Sequence, residues 1–132
     1  MERRSEAVVG IVKYNGSILL VRKKPGQDFF SGEWHIPGET KEGWESDEEA
    51  LKRGIREETG IEILVEESIG SHNSPKHTEV KWYLCTALSY RLKPDSDIDD
   101  AVWVPYAQVP YWHSLKAASL LPDKIKRHLG YQ

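Results

Sequence analysis

The sequence predicts an α/β sandwich in which a mixed sheet lies between helices. Apolar runs suited to β-strands occur early, midway and late in the chain, and two helical regions lie among them. The whole chain, residues 1–132, is expected to form a single domain, and its 39% hydrophobic content is ample for a core.

The predicted elements begin with a hairpin. Strands are expected at residues 7–13 and 17–23, because the Asn15-Gly16 pair between them is a strong signal for a tight turn. The later strands are expected at residues 33–36, 62–69, 79–88 and 101–105, with loops at 25–32, 41–44, 70–78 and 93–100. A final helical region is expected at residues 113–129, broken near Pro122.

The first helix carries clear signals at both ends. Ser46 or Asp47 can cap its start, and acidic residues in the first turn suit the helix dipole. Gly60 suits the left-handed conformation that ends many helices, so the helix is expected to end near Thr59.

One carboxylate of this helix falls inside its apolar stripe. At 100° per residue, the stripe consists of Ala50, Leu51, Gly54 and Ile55, and Glu58 lies within it. An unpaired buried charge is costly, so a partner is expected to neutralise Glu58. A hard cation bound through carboxylates and water is a natural candidate.

Composition excludes several classes of protein. A formal net charge of −3 argues against a general binder of nucleic acid or membrane surfaces. The single cysteine, Cys85, excludes an intrachain disulfide and a zinc cluster built on cysteines. Residues 1–6 lack the apolar segment of a secretory signal, and no apolar run approaches the ~20 residues of a membrane span. A cytoplasmic location is therefore expected.

Residues 38–61, GETKEGWESDEEALKRGIREETGI, carry the most specific motif of the chain. They resemble the Nudix box, G-x5-E-x7-R-E-U-x-E-E-x-G-U with U aliphatic, which is the metal and diphosphate site of the Nudix (MutT-like) hydrolases. The matching positions are Glu45, Arg53, Ile55, Glu57, Glu58, Gly60 and Ile61. The two departures are Glu39, where the box has its first glycine, and Gly54, where it has a glutamate.

The resemblance implies a Nudix-like α/β/α sandwich and a metal-dependent hydrolase. Its expected reaction is attack of water on phosphorus in a nucleoside diphosphate linked to another group, with Mg²⁺ or Mn²⁺ as cofactor. Divalent metal would neutralise phosphate oxygens and activate the water. Because Gly54 removes a carboxylate, a Nudix-fold module that binds nucleotide without cleaving it is the alternative, and Gly54→Glu is expected to raise the rate.

Candidate metal ligands are Gly38, Glu57 and Glu58. The resemblance assigns Glu45 and Arg53 to structural support of the loop at residues 41–44, here called the box loop. The catalytic candidates are Glu57, Glu58, Glu79 and Asp100. Further carboxylates that could replace the one missing at position 54 are Glu39, before the helix, and Asp97 and Asp99, just before Asp100 in the sequence. The acids outside the helix, which are Glu39, Glu79, Asp97, Asp99 and Asp100, could instead be ordinary solvated loop residues.

The candidates for substrate binding are Arg22, Trp34, Gly38, Glu39 and Trp44. Aromatic rings can stack on a nucleobase, and a guanidinium can pair with phosphate, although tryptophan is also a common core residue. His72 and His77 could bind metal, but a solvated loop is the simpler interpretation. The expected partner is a small-molecule nucleotide, with no membrane and no general nucleic acid. Capped RNA and a homodimer stay open.

Overall fold

The structure is a computed structural model that describes residues 5–26, 31–75 and 79–131. Its strands are β1 (Glu6–Tyr14), β2 (Ser17–Lys23), β3 (Trp34–His35), β4 (Gly38–Thr40), β5 (Ile63–His72), β6 (Glu79–Ala87) and β7 (Ile98–Pro105). Its helices are α1 (Asp47–Thr59), α2 (Val109–Trp112), α3 (Leu115–Ala118) and α4 (Asp123–His128), and a 3₁₀-helix covers Tyr106–Gln108.

The sheet is mixed, as predicted. Strand β1 runs parallel to β6, whereas the other strand pairs are antiparallel. Strands β1 and β2 pair only beside their hairpin turn, at Lys13↔Ile18 and Tyr14↔Ser17, and then separate. Beyond that point β4 pairs with the first half of β1, and β3 pairs with the end of β2. The separation therefore admits the segment that leads into α1.

Two apolar layers enclose the sheet. Alternate residues of β1 point to opposite faces, so Val8 and Val12 pack in one cluster and Ile11 packs in the other. The first cluster includes Leu51 of α1, and the second includes Ile125 of α4. Helices thus cover both faces of the sheet, which confirms the predicted α/β/α sandwich.

Helix α1 forms where the sequence predicts it. Ser46 and Glu49 form a reciprocal capping box, in which each side chain accepts a hydrogen bond from the backbone N–H of the other. Gly60 ends the helix with a φ of 79°, a left-handed conformation that glycine adopts without a steric penalty.

Strand β4 was not predicted, and three boundaries differ clearly from the predictions. Strand β5 continues to His72, three residues into the predicted loop from residue 70, because it stays paired with β6 through two register irregularities. Strand β7 begins at Ile98 rather than at residue 101, because its acidic start pairs with the end of β2. The C-terminal region begins earlier than predicted and consists of short helices, since α2 accommodates Pro110 in its first turn.

Within the described ranges, no helix combines the length and the apolar character needed to cross a bilayer.

Candidate functional site

Glu58 is buried in the apolar stripe of α1, as predicted. The neighbouring residues of the stripe, Leu51, Gly54 and Ile55, are buried as well, and Glu58 itself is only 6% exposed. Its Oε1 atom has no hydrogen-bond partner among the described residues. Burial is the main cause that raises the pKa of Glu58 to about 8, and the negative charges of Asp97 and Glu39 add to it. The charge of Lys23 favours the ionised form but does not offset these effects, so the compensation of this carboxylate by the protein is incomplete.

The loop before β7 closes over the C-terminal end of α1. The Lys93 N–H donates to the carbonyl oxygen of Thr59 at 2.8 Å, and the Asp95 N–H donates to that of Glu58 at 3.0 Å. These bonds satisfy two carbonyl groups that a helix end leaves free. They also bring Asp97 beside the Glu58 carboxylate, so the predicted acidic loop lies at the site.

Glu45 and Arg53 form a bidentate ion pair beside the box loop. The Arg53 Nε donates to Glu45 Oε2 at 2.6 Å, and Nη2 donates to Oε1 at 2.8 Å. The Glu42 N–H also donates to Glu45 Oε1, at 2.9 Å. The hydrogen bonds from Arg53 are the main reason that the pKa of Glu45 falls to about 2. This geometry agrees with the supporting role expected of both residues.

Arg53 also reaches two further carboxylates. Its Nη1 lies 3.6 Å from Glu39 Oε2 and 3.5 Å from Glu57 Oε2, while Nη2 donates to the Thr40 carbonyl at 3.3 Å. Glu57 is more than half exposed, so its carboxylate remains accessible to a ligand. Arg53 therefore links β4, the box loop and the last turn of α1.

Gly54 lies directly against Glu39. A Cβ atom at Gly54 would lie 2.7 Å from Glu39 Cβ and 2.8 Å from Glu39 Oε2, closer than real Cβ contacts allow. With Glu39 in this position there is thus no space for the side chain of Gly54→Glu, and the expected rise in rate stays a prediction. The contact joins residues 15 apart in the sequence, and it depends on β4 packing on α1.

Arg22, Trp34 and Asp100 come together at the end of β2. In the sheet register Arg22 lies between Trp34 of β3 and Asp100 of β7. The guanidinium lies over the Trp34 ring, with Cζ 5.0 Å from its centroid, and Nε donates to Asp99 Oδ1 at 2.9 Å. Trp34 also packs edge-on against Trp112. This group, here called the Arg22 cluster, offers an aromatic ring and a cation side by side.

Glu79 lies in a different charged cluster. It begins β6 beside Glu6, and its Oε1 lies 3.9 Å from Lys81 Nζ. Lys81 also pairs with Glu6 and with Asp47, which is in the first turn of α1. Glu58 is in the last turn, roughly 16 Å further along the helix. The structure thus does not bring Glu79 together with Glu57 and Glu58.

The remaining candidates have varied surroundings. Gly38 pairs with Val9 in the sheet, and a Cβ there would lie 3.0 Å from the Val8 carbonyl oxygen, so glycine fits this position. Trp44 is 76% exposed. His72 accepts a hydrogen bond from Trp82 Nε1 at 3.0 Å, which gives it a structural contact on β5. His77 lies outside the described residues.

The acidic residues do not form a ready-made metal cage. Within the described parts of the chain, no three His, Cys, Asp or Glu side chains are arranged to hold a metal ion. Mg²⁺, however, commonly takes one or two protein carboxylates and completes its shell with water and substrate phosphates. The uncompensated Oε1 of Glu58, with Glu57 adjacent, fits such an open site.

Comparison with known proteins assigns the family. The NUDIX domain model matches residues 4–125. The chain belongs to the Nudix family. Among solved structures, a NUDIX hydrolase from Nitrosomonas europaea superposes with a TM-score of 0.82 at 15% identity, covering 98% of this chain and 72% of that one. At this identity the likeness concerns the fold, and it agrees with the sandwich described above.

Two curated relatives are similar in sequence. The CTP pyrophosphohydrolase of Escherichia coli is 42% identical over 67 residues, which are 51% of this chain and 49% of that protein. The ADP-ribose pyrophosphatase of Methanocaldococcus jannaschii is 30% identical over 109 residues, covering 79% of this chain and 63% of that protein. The matched segments thus span about half to two thirds of these Nudix relatives.

The sequence did not anticipate all of the Nudix site. It identified Glu58 through helical periodicity, and the resemblance connected Arg53 with Glu45. The approach of Arg53 to Glu39 was missed. Glu39 was one of several acids considered as a replacement for the carboxylate missing at position 54. Its direct contact with Gly54 becomes evident only when β4 is placed against α1.

Proposed function

We propose that this protein hydrolyses a diphosphate bond in a nucleoside diphosphate linked to another group, by attack of water on phosphorus. The observation that carries the proposal is the buried Glu58, whose Oε1 lacks a partner among the described residues. A structural helix would not retain such a carboxylate, because an uncompensated buried charge destabilises the fold. A divalent cation bound at Glu58 would compensate this charge and would explain why a carboxylate occupies a buried position.

The chain's own residues divide the work between binding and positioning. Glu58 and Glu57, together with the backbone carbonyl of Gly38, would hold Mg²⁺ or Mn²⁺. The bound metal would neutralise phosphate oxygens and lower the pKa of a water molecule. Arg53, held by Glu45, keeps the last turn of α1 against the box loop.

The Arg22 cluster is proposed as the place where the nucleotide is recognised. The Arg22 guanidinium can pair with phosphate, and the half-buried Trp34 ring can stack on a base. Trp44, exposed on the box loop, offers a second ring. Glu39 of β4, whose Oε2 lies 3.6 Å from Arg53 Nη1, is a further proposed contact for the substrate. The names of the two relatives, a CTP pyrophosphohydrolase and an ADP-ribose pyrophosphatase, support a nucleotide substrate.

A panel of nucleotides tests the proposal. CTP, ADP-ribose, a dinucleoside polyphosphate and a nucleotide sugar are incubated with Mg²⁺, and the released phosphate or diphosphate products are measured. Glu58→Gln should lose the activity, and Glu48→Gln, on the solvated face of α1, serves as the matched control. Chelation by EDTA should abolish turnover in the wild type.

The catalytic base is tested with the same assay. Asp100→Asn should lower kcat by roughly 10²–10⁴, the usual contribution of a positioned base. Glu79→Gln should leave kcat unchanged, because Glu79 lies in the separate charged cluster around Lys81. Retained kcat in Asp100→Asn would show that this carboxylate is not the base, and its approach to Arg22 would then give it a role in orienting the guanidinium.

The second candidate is a module that binds nucleotide without cleaving it. Gly54 favours it, because this position lacks the carboxylate that the Nudix box carries. If the wild type binds members of the panel in the presence of Mg²⁺ but releases no product from any, the binding module replaces the hydrolase.

A further inference from the structure

Glu39 occupies the space that a side chain at position 54 would need. It lies on β4 opposite Val8, and β4 packs on α1 at Gly54. A Cβ at position 54 would approach three Glu39 side-chain atoms, Cβ, Oε2 and Cγ, within 2.9 Å. The nearest of them, Cβ, cannot move without the backbone of β4. The two residues are therefore mutually dependent: glycine at 54 is required while glutamate is present at 39.

The Glu39 carboxylate also points toward the other two acids of the proposed metal site. Its Oε2 and the Oε2 of Glu57 lie 3.6 Å and 3.5 Å from the same Arg53 nitrogen. Glu39 contacts α1 at Gly54, which lies one helical turn before Glu58 on the buried face of the helix. Glu39, Glu57 and Glu58 thus surround one end of α1 from two different elements.

An ion pair with Arg53 does not account fully for Glu39. Arg53 is already held by two short hydrogen bonds to Glu45, at 2.6 Å and 2.8 Å, whereas its approach to Glu39 is 3.6 Å. The Glu39 side chain is three-quarters buried, and its Oε1 accepts a hydrogen bond from the Thr40 N–H at 3.1 Å. A cation bound beside Oε2 would complete the partners of this carboxylate.

We infer that Glu39 and Gly54 are a reciprocal exchange, in which the metal-binding carboxylate that the Nudix box carries on the helix at position 54 is supplied from strand β4 by Glu39. The inference rests on the metal site of the proposed function. It makes Glu39 a further ligand of the divalent cation proposed at Glu57 and Glu58, and it gives Gly54 the role of leaving room for that ligand. Since these described side chains are not already grouped around a metal position, Glu39 would join the shell when the cation binds.

Metal affinity, measured without substrate, provides the first test. Mn²⁺ binding is followed by electron paramagnetic resonance for the wild type, Glu39→Gln and the control Glu48→Gln. Glu39→Gln keeps the shape of the side chain and removes its charge, so it should weaken Mn²⁺ binding by about tenfold or more. The control should bind Mn²⁺ as the wild type does.

Swapping the two residues provides the second test. Gly54→Glu alone should lower the thermal midpoint in EDTA by more than about 5 °C, because two side chains compete for one space. Glu39→Gly alone should lose Mn²⁺ affinity. The combination of Glu39→Gly with Gly54→Glu should recover both the midpoint and an Mn²⁺ affinity within about threefold of the wild type.

The outcomes separate this inference from the proposed function. If Glu39→Gln and Glu39→Gly both bind Mn²⁺ like the wild type, Glu39 is not a ligand and the inference is wrong, whether or not the wild type hydrolyses nucleotides. Failure of the double variant to bind Mn²⁺ better than Glu39→Gly, when it is as stable as the wild type, also overturns the exchange. If affinity is lost and recovered as expected while no substrate is cleaved, the inference holds and only the hydrolase proposal fails.

Discussion

Glu45, just before α1, and Glu58, in its last turn, are equally buried carboxylates with opposite surroundings. Each residue is 6% exposed. Glu45 accepts hydrogen bonds from Arg53 and from the Glu42 backbone, and its pKa falls to about 2, chiefly because of Arg53. Glu58 has an Oε1 without a partner among the described residues, and burial raises its pKa to about 8.

The difference shows that burial by itself does not define the role of a carboxylate. A buried charge that the protein compensates fully stabilises the local structure, and its removal leaves the partner uncompensated. A buried charge that the protein compensates incompletely lowers the stability of the fold. Such a charge is retained where a bound ligand, such as a cation, compensates it. Glu45 is accordingly a structural residue in our account, and Glu58 is a ligand.

Catalysis should respond most strongly to a change at Glu58. Glu58→Gln should lower kcat by about 10²-fold or more, because it removes a ligand of the cation that would neutralise the phosphate oxygens and activate the water. It should leave the free energy of unfolding in EDTA unchanged or higher, since an uncompensated charge disappears. Kinetics with the best substrate of the panel and urea unfolding in EDTA measure the two quantities. If Glu58→Gln stays active, or loses activity only because it unfolds, then Glu58 is a structural residue and not a metal ligand.

The opposite pattern is expected at Glu45. Glu45→Gln should lower the thermal midpoint in EDTA by more than about 5 °C, because Arg53 would lose its best partner while remaining largely buried. Differential scanning calorimetry checks the shift, with Glu48→Gln as a matched change at an exposed site. Full stability of Glu45→Gln would remove the contrast between the two carboxylates.

The stabilisation from Glu45 should depend on pH in a defined direction. Its pKa in the folded protein is about 2, below the ordinary value of 4.5, so the ionised form favours the folded state. This contribution is fully present above about pH 4.5 and is lost as the pH falls towards 2. The difference in unfolding midpoint between the wild type and Glu45→Gln should therefore shrink across that window. A difference that is constant from pH 6 to 2 would show that ionisation of Glu45 does not stabilise the fold.

The smallest effect is expected at the helix cap. Ser46→Ala removes one half of the capping box and should cost about 1 kcal/mol of unfolding free energy. The metal affinity should not change, because the cap lies at the other end of α1 from Glu58. Urea unfolding and Mn²⁺ titration of the same sample check both statements, and a loss of metal affinity would mean that the two ends of the helix are coupled.

Sequence reasoning reached the parts of the site that follow from local periodicity. The start and end of α1, its apolar stripe and the presence of Glu58 within that stripe all follow from helix geometry and capping, and the structure confirms them. The α/β/α arrangement was also predictable, because alternating strands and helices leave few ways to bury both faces of a sheet.

The rest of the site depends on contacts between distant segments. The contact of Glu39 with Gly54 requires β4 to lie on α1, and the Arg22 cluster requires β2 to lie between β3 and β7. Glu79 illustrates the same limit, since its neighbours are set by the pairing of β1 with β6 rather than by its place in the sequence. The helical region broken near Pro122 was predicted, and α3 and α4 lie on either side of that break. The earlier helix α2 was not predicted, because such short helices depend on tertiary packing more than on helix propensity.

Anomalous scattering from a crystal soaked in Mn²⁺ can show whether Glu58 binds metal. With millimolar Mn²⁺ and a non-hydrolysable nucleotide, we expect an anomalous peak within about 2.5 Å of a Glu58 oxygen, with Glu57 in the same coordination shell. If nucleotide is visible in the density and no anomalous peak lies at Glu58, then the buried carboxylate with the unpartnered Oε1 is not a metal ligand.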